Sequence, residues 1–269
     1  KLKDSPFSPD SEVVEYVANT VQDSINQVRS DRNDYILVVP QDANADYALG
    51  TAVDLDEDRV HLLAAGYTAS NRGYTVTIRG NYGTTPDNQI IDVVASGCEI
   101  AGFRLLGTLG THAGGTMANA VLWMGTAASG TADETWVHDT TLEFNAAEGT
   151  PPLLSGVASS SDYCRFDNVK FSAAVEANAI CVILPATSVG WGFHHCQFVK
   201  DAQAVGDQFV VTGTGVVNYV LFENCQFINR EDGTAIASAV TGSVTVDNGV
   251  LMHYCTSINV TQFGTDSRV

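Results

Sequence analysis

Phe222-Glu-Asn-Cys225-Gln-Phe227 is the stretch whose reading decides the fold. Cys225 and Phe227 alternate with Gln226, as the two-residue period of a half-buried strand requires. Phe222 lies three residues before Cys225, so a single straight strand would put these two on opposite faces. A bend at Glu223-Asn224 lets both point inward, and the hexapeptide is therefore read as two short strands meeting at a corner. The pattern recurs: Val137-x-x-Thr140-x-Leu142, Phe166-x-x-Val169-x-Phe171, Phe193-x-x-Cys196-x-Phe198, then the stretch above, then Met252-x-x-Cys255-x-Ser257. The first positions are 29, 27, 29 and 30 residues apart. A fixed period of that size means stacked copies of one supersecondary unit.

A second strand signal lies between copies, in Ala120-Val-Leu-Trp-Met124, Ala179-Ile-Cys-Val-Ile-Leu184, Gln208-Phe-Val-Val211 and Ser243-Val-Thr-Val246. Each copy thus holds about three short strands and no helix. Such a chain buries its apolar residues only by coiling, each turn lying on the last. Equivalent strands become parallel neighbours roughly 4.8 Å apart, and the crossover rule makes the coil right-handed. The expected class is all-β, a right-handed parallel β-helix. Its interior columns are Phe166, Phe193 and Phe222; Cys196, Cys225 and Cys255; and Phe171, Phe198 and Phe227. The bend position holds Asp139, Asn168, His195, Asn224 and Tyr254, mostly short polar residues that tolerate a left-handed backbone.

On these residues the chain resembles the pectin-lyase-like right-handed β-helix superfamily, which includes pectate lyases, polygalacturonases and phage tailspike and virion proteins. Thr20-Val-Gln-Asp-Ser-Ile25, Asp34-Tyr-Ile-Leu-Val-Val-Pro40 and Tyr74-Thr-Val-Thr-Ile-Arg-Gly80 are similar to its cap helix and opening strands. Cys98-Glu-Ile-Ala-Gly-Phe-Arg-Leu-Leu-Gly107 looks like one of its early turns. The resemblance implies fold more than activity, because this fold hosts unrelated functions. The superfamily's enzyme motifs are missing. There is no Trp-Ile-Asp-His or Arg-x-Pro-x-x-Arg element of pectate lyases, and none of the Asn-Thr-Asp, Asp-Asp, Gly-His-Gly and Arg-Ile-Lys elements of polygalacturonases.

The 269 residues divide into an N-terminal arm and α-helical cap over 1–33 and the β-helix over 34–269. Ser8-Pro9-Asp10 reads as a helix start, and Thr20 with Asp23 as a second one. Val13, Val14, Val17, Val21, Ile25 and Val28 recur at helical spacing. A solenoid needs its first turn covered, because an open strand edge invites aggregation. Thr256–Gly264 still reads as solenoid strand, so the far end is expected to be covered by a partner subunit or by further residues. The opening on Lys1 leaves room for a removed leader or tag, and the first residues lack the apolar core of a signal peptide. No apolar run is long enough to span a bilayer, so no membrane contact is expected.

A formal net charge of −18 argues against nucleic acid, whose phosphates are neutralised by Lys and Arg. Six cysteines could suggest disulfides. Yet Cys196, Cys225 and Cys255 share one inward position on successive turns, near 5 Å apart, while a disulfide holds its Cβ atoms at about 3.5–4.5 Å. Reduced, buried thiols are expected, which suits folding in a reducing compartment.

The residue before the bend gives an outward row: His138, Asp167, His194, Glu223 and His253. One reading is a ladder of surface hydrogen bonds and weak ion pairs. The sharper reading is a His–carboxylate site for acid–base work or a transition-metal site. If the chain is an enzyme, Asp167, His194 and Glu223 are the catalytic candidates, with Asp162 a further carboxyl and Arg79, Arg104 and Arg165 as sugar-acid clamps. Asp54-Leu-Asp-Glu-Asp58 begins like a calcium loop, but Arg59 and Ala65 stand where Gly and Glu are required, so it is read as a solvated acidic turn. Arg230-Glu-Asp-Gly233 is read as a loop start.

Outward apolar residues, Leu221 and Leu251 before the bend and Val199, Ile228 and Ile258 after it, are expected to form a subunit contact. The resemblance favours a homotrimer. The leading expectation is a non-catalytic structural virion protein of a bacteriophage, a capsid-decoration (cement) protein or tailspike-like module, assembled in the host cytoplasm. It needs no cofactor or metal, and its partners are itself, other virion proteins such as a capsid, and a surface polysaccharide. The alternatives are a polysaccharide lyase or glycoside hydrolase, or a carbohydrate-binding adhesive module, either of them secreted.

Overall fold

The computed structural model describes residues 18, 20–40, 47–49, 52–65, 76–82, 89–109, 120–125, 131–144, 152–156, 161–173, 180–184, 189–201, 209–212, 219–231, 235–241 and 250–264. The alternation seen in the sequence resolves into three strands per turn. They stack into three eight-stranded sheets, all of whose strand pairs are parallel. Sheet A runs from Tyr35–Val38 at one end to Val250–His253 at the other, and carries Trp136–His138, Arg165–Asp167, Gly192–His194 and Val220–Glu223 between. Sheet B follows each sheet A strand across the bend and ends at Thr256–Ile258. Sheet C closes the tube from Val53–Leu55 to Val260–Gly264. The molecule is a right-handed parallel β-helix. Of the predicted intervening strands, Ser243–Val246 lies outside the described residues, and the strand of that turn is Ile236–Thr241.

The interior columns stand where the spacing predicts them. Phe166, Phe193 and Phe222 stack with ring centroids 4.8 Å apart, and Phe171, Phe198 and Phe227 at 4.9 and 4.7 Å. Rings of neighbouring columns meet edge to face, as at Phe193–Phe198. The spacing of the rings is the spacing of the strands, so each ring covers the one below. All six cysteines are unpaired with one another covalently, and five are buried. Each thiol of the column donates to a carbonyl of the preceding turn: Cys196 to Phe166, Cys225 to Phe193 and Cys255 to Phe222 at 3.2–3.3 Å. The neighbouring thiol and burial push Cys225 up to about 12, which keeps it protonated and able to donate.

The bend between sheets A and B is left-handed at every predicted position, with φ of 50–55° at Asp139, Asn168, His195, Asn224 and Tyr254. This conformation strains a residue carrying Cβ by about 1–2 kcal/mol. It also turns each backbone N–H onto the next turn: Asp139 to Asp167, Asn168 to His194, His195 to Glu223 and Asn224 to His253, at 2.9–3.0 Å. A second left-handed row marks the corner between sheets C and A, at Asn33, Arg59, Gly97, Glu134, Tyr163, Gly190 and Tyr219. Only glycine fits at position 190. Its φ is +75°, and a Cβ there would lie 2.6 Å from the Tyr163 ring.

At the N-terminal end, Val21–Ile25 forms a helix whose N-cap Thr20 accepts the Asp23 N–H at 3.0 Å, as the sequence suggests. Val21 and Ile25 plug the end of the core. Gln22 meets the free edge of Val53–Leu55 as a strand would: its Oε1 accepts the Asp54 N–H at 2.8 Å, and its Nε2 donates to the Asp54 carbonyl at 3.4 Å. The predicted start at Ser8-Pro9-Asp10 lies outside the described residues. No helix among the described residues is long and apolar enough to cross a membrane. In the last turn Met252, Cys255, Val260 and Phe263 pack against the core yet stay partly exposed.

Two substitutions test this account. Phe193→Ala removes a ring sandwiched between two others, and is expected to lower unfolding free energy by about 3–5 kcal/mol in urea titration. Asn224→Gly is expected to change it little, whereas Asn224→Val, β-branched at a φ of 52°, is expected to lower it by about 1–3 kcal/mol.

Candidate functional site

The sheet A strands present alternate side chains outward, and register places His138, Asp167, His194, Glu223 and His253 in one row. The candidates are thus brought together, but each is engaged by a neighbour. Glu223 sits between two imidazoles, with His194 Nδ1 at 3.1 Å and His253 Nδ1 at 3.3 Å. Lower in the stack Glu99 is held the same way, between His61 Nδ1 and His138 Nε2. His138 also reaches Asp139 at 2.9 Å. Asp167 accepts from Trp136 Nε1–H at 2.6 Å and pairs with Arg165 at 2.6 Å. Arg165 in turn lies 5.9 Å over the Trp136 ring. A Cβ at Gly192 would stand 2.8 Å from His194 Nε2, so the imidazole occupies the space a side chain there would need.

The arrangement is a fastening strip that ties one turn to the next. Hydrogen bonds from His194 and His253 hold Glu223 below the usual carboxylate range. Burial would raise Glu99, but the hydrogen bonds from His138 and His61 outweigh it and hold it low as well. Among the described residues no group of three His, Cys, Asp or Glu side chains is placed to hold a metal ion.

Other sequence candidates are engaged too. Asp162 Oδ1 accepts the Val189 N–H at 2.8 Å, Asp133 Oδ1 accepts the Asp162 N–H at 2.8 Å, and Asp58 Oδ1 accepts the Ser96 N–H at 2.7 Å. These bonds form an aspartate ladder at the C–A corner. The acidic segment 54–58 is therefore not a simple solvated turn: Asp54 lies in a strand and Asp58 binds the next turn. Arg104 pairs with Glu143 at 3.0 Å. Arg230, read as a loop start, holds Asp201 through two hydrogen bonds of 2.7 Å.

The five apolar contact candidates do not form one stripe. Leu221 and Leu251 are neighbours on sheet A, with Leu251 63% exposed, while Ile228 and Ile258 are neighbours on sheet B across the corner. Val199 is a correction: it is buried within the single chain and is not available to a partner. Sequence places it outward on its strand, but outward on a solenoid is not the same as exposed.

A different residue stands out on sheet C. Asp54, Asp92 and Trp123 occupy one outward row on three successive turns. Asp92 is 9% exposed. Its Oδ2 accepts from Gln89 Nε2 at 3.1 Å, and its Oδ1 is buried with no partner. Burial, with the Asp54 carboxylate adding to it, pushes Asp92 up to about 6 despite the Gln89 bond. Ser155 and Ile183, farther along the row, are also buried, so this face is shielded where sheet A is open. The triplets Val53-Asp54-Leu55, Ile91-Asp92-Val93 and Leu122-Trp123-Met124 carry the signal, a polar or aromatic residue between two inward aliphatics at one position of three turns.

Asp92 and Glu99 predict opposite pH dependences. Asp92 titrates higher folded than unfolded, so its contribution is fully present below its ordinary value of about 3.9 and is lost as pH rises through about 6. Asp92→Asn is expected to gain about 2–3 kcal/mol over the parent at pH 8 and nothing near pH 4, read by urea unfolding across pH. Glu99 titrates lower folded than unfolded. Its contribution is present above about 4.3 and disappears as pH falls through the depressed folded value, so Glu99→Gln should flatten the acid limb alone.

No family model and no curated protein matches the chain. Solved structures do. A pectin methylesterase in complex with a hexasaccharide superposes with a TM-score of 0.59 at 10% identity, covering 94% of this chain and 78% of that one. The deglycosylated pectin methylesterase from Aspergillus niger gives 0.51 at 13% identity, covering 93% and 83%. ORF18 of Geobacillus virus E2 gives 0.41 at 12% identity, covering 90% and 57%. At these identities the likeness to the pectin methylesterases is one of backbone: the chain has the right-handed parallel β-helix fold.

Proposed function

We propose that this chain is a structural, non-catalytic β-helix component of a bacteriophage virion, a capsid-decoration (cement) protein or tailspike-like module that works as an oligomer. The observation that carries this reading is the engagement of the acidic and imidazole side chains of the outer strip. Asp167, His194, Glu223 and Asp162 are each bonded to a group of a neighbouring turn, which suits a rod under load better than a site that must exchange protons with substrate. Two further features agree with it. The interior thiols are uncrosslinked, as suits folding in a host cytoplasm before assembly. Exposed apolar side chains are gathered on one face, as assembly requires.

A second reading has one specific observation in its favour. The buried, unpartnered Asp92 Oδ1 beside Asp54 and Trp123 is what a site acting on a saccharide or its ester would use, two neighbouring carboxyls of which the buried one is pushed up the more. The likeness to pectin methylesterases makes this worth an assay, although fold alone assigns no activity.

The two readings separate cleanly. Purified chain is expected to leave acidic, neutral and methyl-esterified polysaccharides intact, with or without calcium, by reducing-end and methanol release. Activity that disappears in Asp92→Asn would establish the second reading and remove the first. Mass spectrometry of purified particles from the phage that encodes the chain is expected to find it in many copies.

A further inference from the structure

Nine large hydrophobic side chains are exposed among the described residues, and eight of them lie on sheet A or in the two corners that bound it. The ninth, Ile258, is on sheet B. Five of the eight gather at the two ends of sheet A, and Trp136, Tyr163 and Tyr219 lie along the turns between. Tyr35, Leu37 and Val39 cluster at its N-terminal end, at 69%, 63% and 56% exposure. Leu251 and Tyr254, at 63% and 75%, mark its C-terminal end. Between them lies the fastening strip, with Trp136 at 39%.

That distribution matches itself under one operation. Rotation about a two-fold axis parallel to the strands keeps strand direction and reverses the order of turns. The first strand of one copy then faces the eighth of the other, and the fourth faces the fifth. Tyr35 meets Leu251. Trp136 meets Arg165, a pairing of cation and ring already favoured within the chain. His138 meets Asp167. Each pair occurs twice, as an isologous contact demands.

Charge agrees. The chain carries −18, which keeps most of its surface from approaching another copy. On sheet A the carboxylates Glu99, Asp167 and Glu223 are each held by His or Arg partners, so this face repels a copy of itself least. Size agrees as well. Eight strands at about 4.8 Å by roughly six residues of strand and corner give about 800 Å² per partner, the standard for a stable interface.

We propose that the outer face of sheet A is a self-association surface on which a second copy of this chain docks across that two-fold axis, the two solenoids running antiparallel. This deepens the assembly role proposed above and replaces the expected three-fold with a two-fold. Its experiment reads contact between copies and not presence in a particle, so either idea can fail alone.

Sedimentation equilibrium is expected to give twice the 28.5 kDa of the chain. Leu251→Glu, a change at an exposed side chain that meets Tyr35 across the axis, is expected to weaken dimerisation by about 30-fold or more with the circular dichroism spectrum unchanged. Cross-linking reads the orientation. In a Cys255→Ser background, Tyr35→Cys and Leu251→Cys variants are mixed and oxidised. Within one chain the two positions are about 34 Å apart, seven strand spacings, so only contact between copies can join them. The expected product is a disulfide-linked dimer of one of each, with neither variant linking to itself. A monomer throughout the micromolar range would overturn the proposal. So would a trimer, or a dimer in which Tyr35→Cys links to its own kind.

Discussion

The structure rests on one constraint: every turn must place the same kind of side chain at the same point as the turn beneath it, a strand spacing away. Parallel stacking supplies the backbone hydrogen bonds, but those bonds do not depend on side-chain identity. Register is set by what stacks inside. Phe193 lies between Phe166 and Phe222 with ring planes 11° and 6° from parallel. A slip of one residue would turn that column outward and leave a void along the axis. The left-handed corners are accepted because they let both strands of a turn face inward and send an N–H to the next turn.

The same repetition explains the polar outside. A charged residue on a solenoid has neighbours above and below at a fixed spacing, so acids and bases that alternate along the row pair without any further design. Glu223 between His194 and His253 is an instance of this, while Glu99 is held by His61 of its own row and His138 of the next, and the aspartates of the opposite corner accept backbone N–H groups of the neighbouring turn. Asp92 breaks the rule. Its neighbours in the row are another acid and an indole whose N–H is already given to the Gly125 carbonyl, so one of its oxygens is left without a donor. Among the described residues Asp92 is the buried carboxylate with an oxygen that no donor reaches, which makes it informative.

Much of this was legible beforehand, because a repeating fold writes its contacts at a fixed offset. The Phe and Cys columns, the left-handed bend at Asn168 and Asn224, the absence of disulfides along the cysteine row and the Thr20 cap all follow from spacing. The second corner was not legible. Arg59, Glu134, Tyr163 and Tyr219 share a backbone angle and no side-chain property, so no pattern marks them. Nor were the partners of Asp167, since Trp136 is an unremarkable residue until register sets it one turn below.

By itself, then, the chain's order of residues determined the coil, its period, its interior columns and the outward direction of the acid–histidine row, because these depend only on distance along the chain modulo one turn. Tertiary structure alone decided which outward residues meet solvent. Val199 and Asp92 point away from the axis as Leu251 does, yet only Leu251 is exposed. Exposure depends on what lies across the surface from elsewhere in the chain, and no local spacing encodes that.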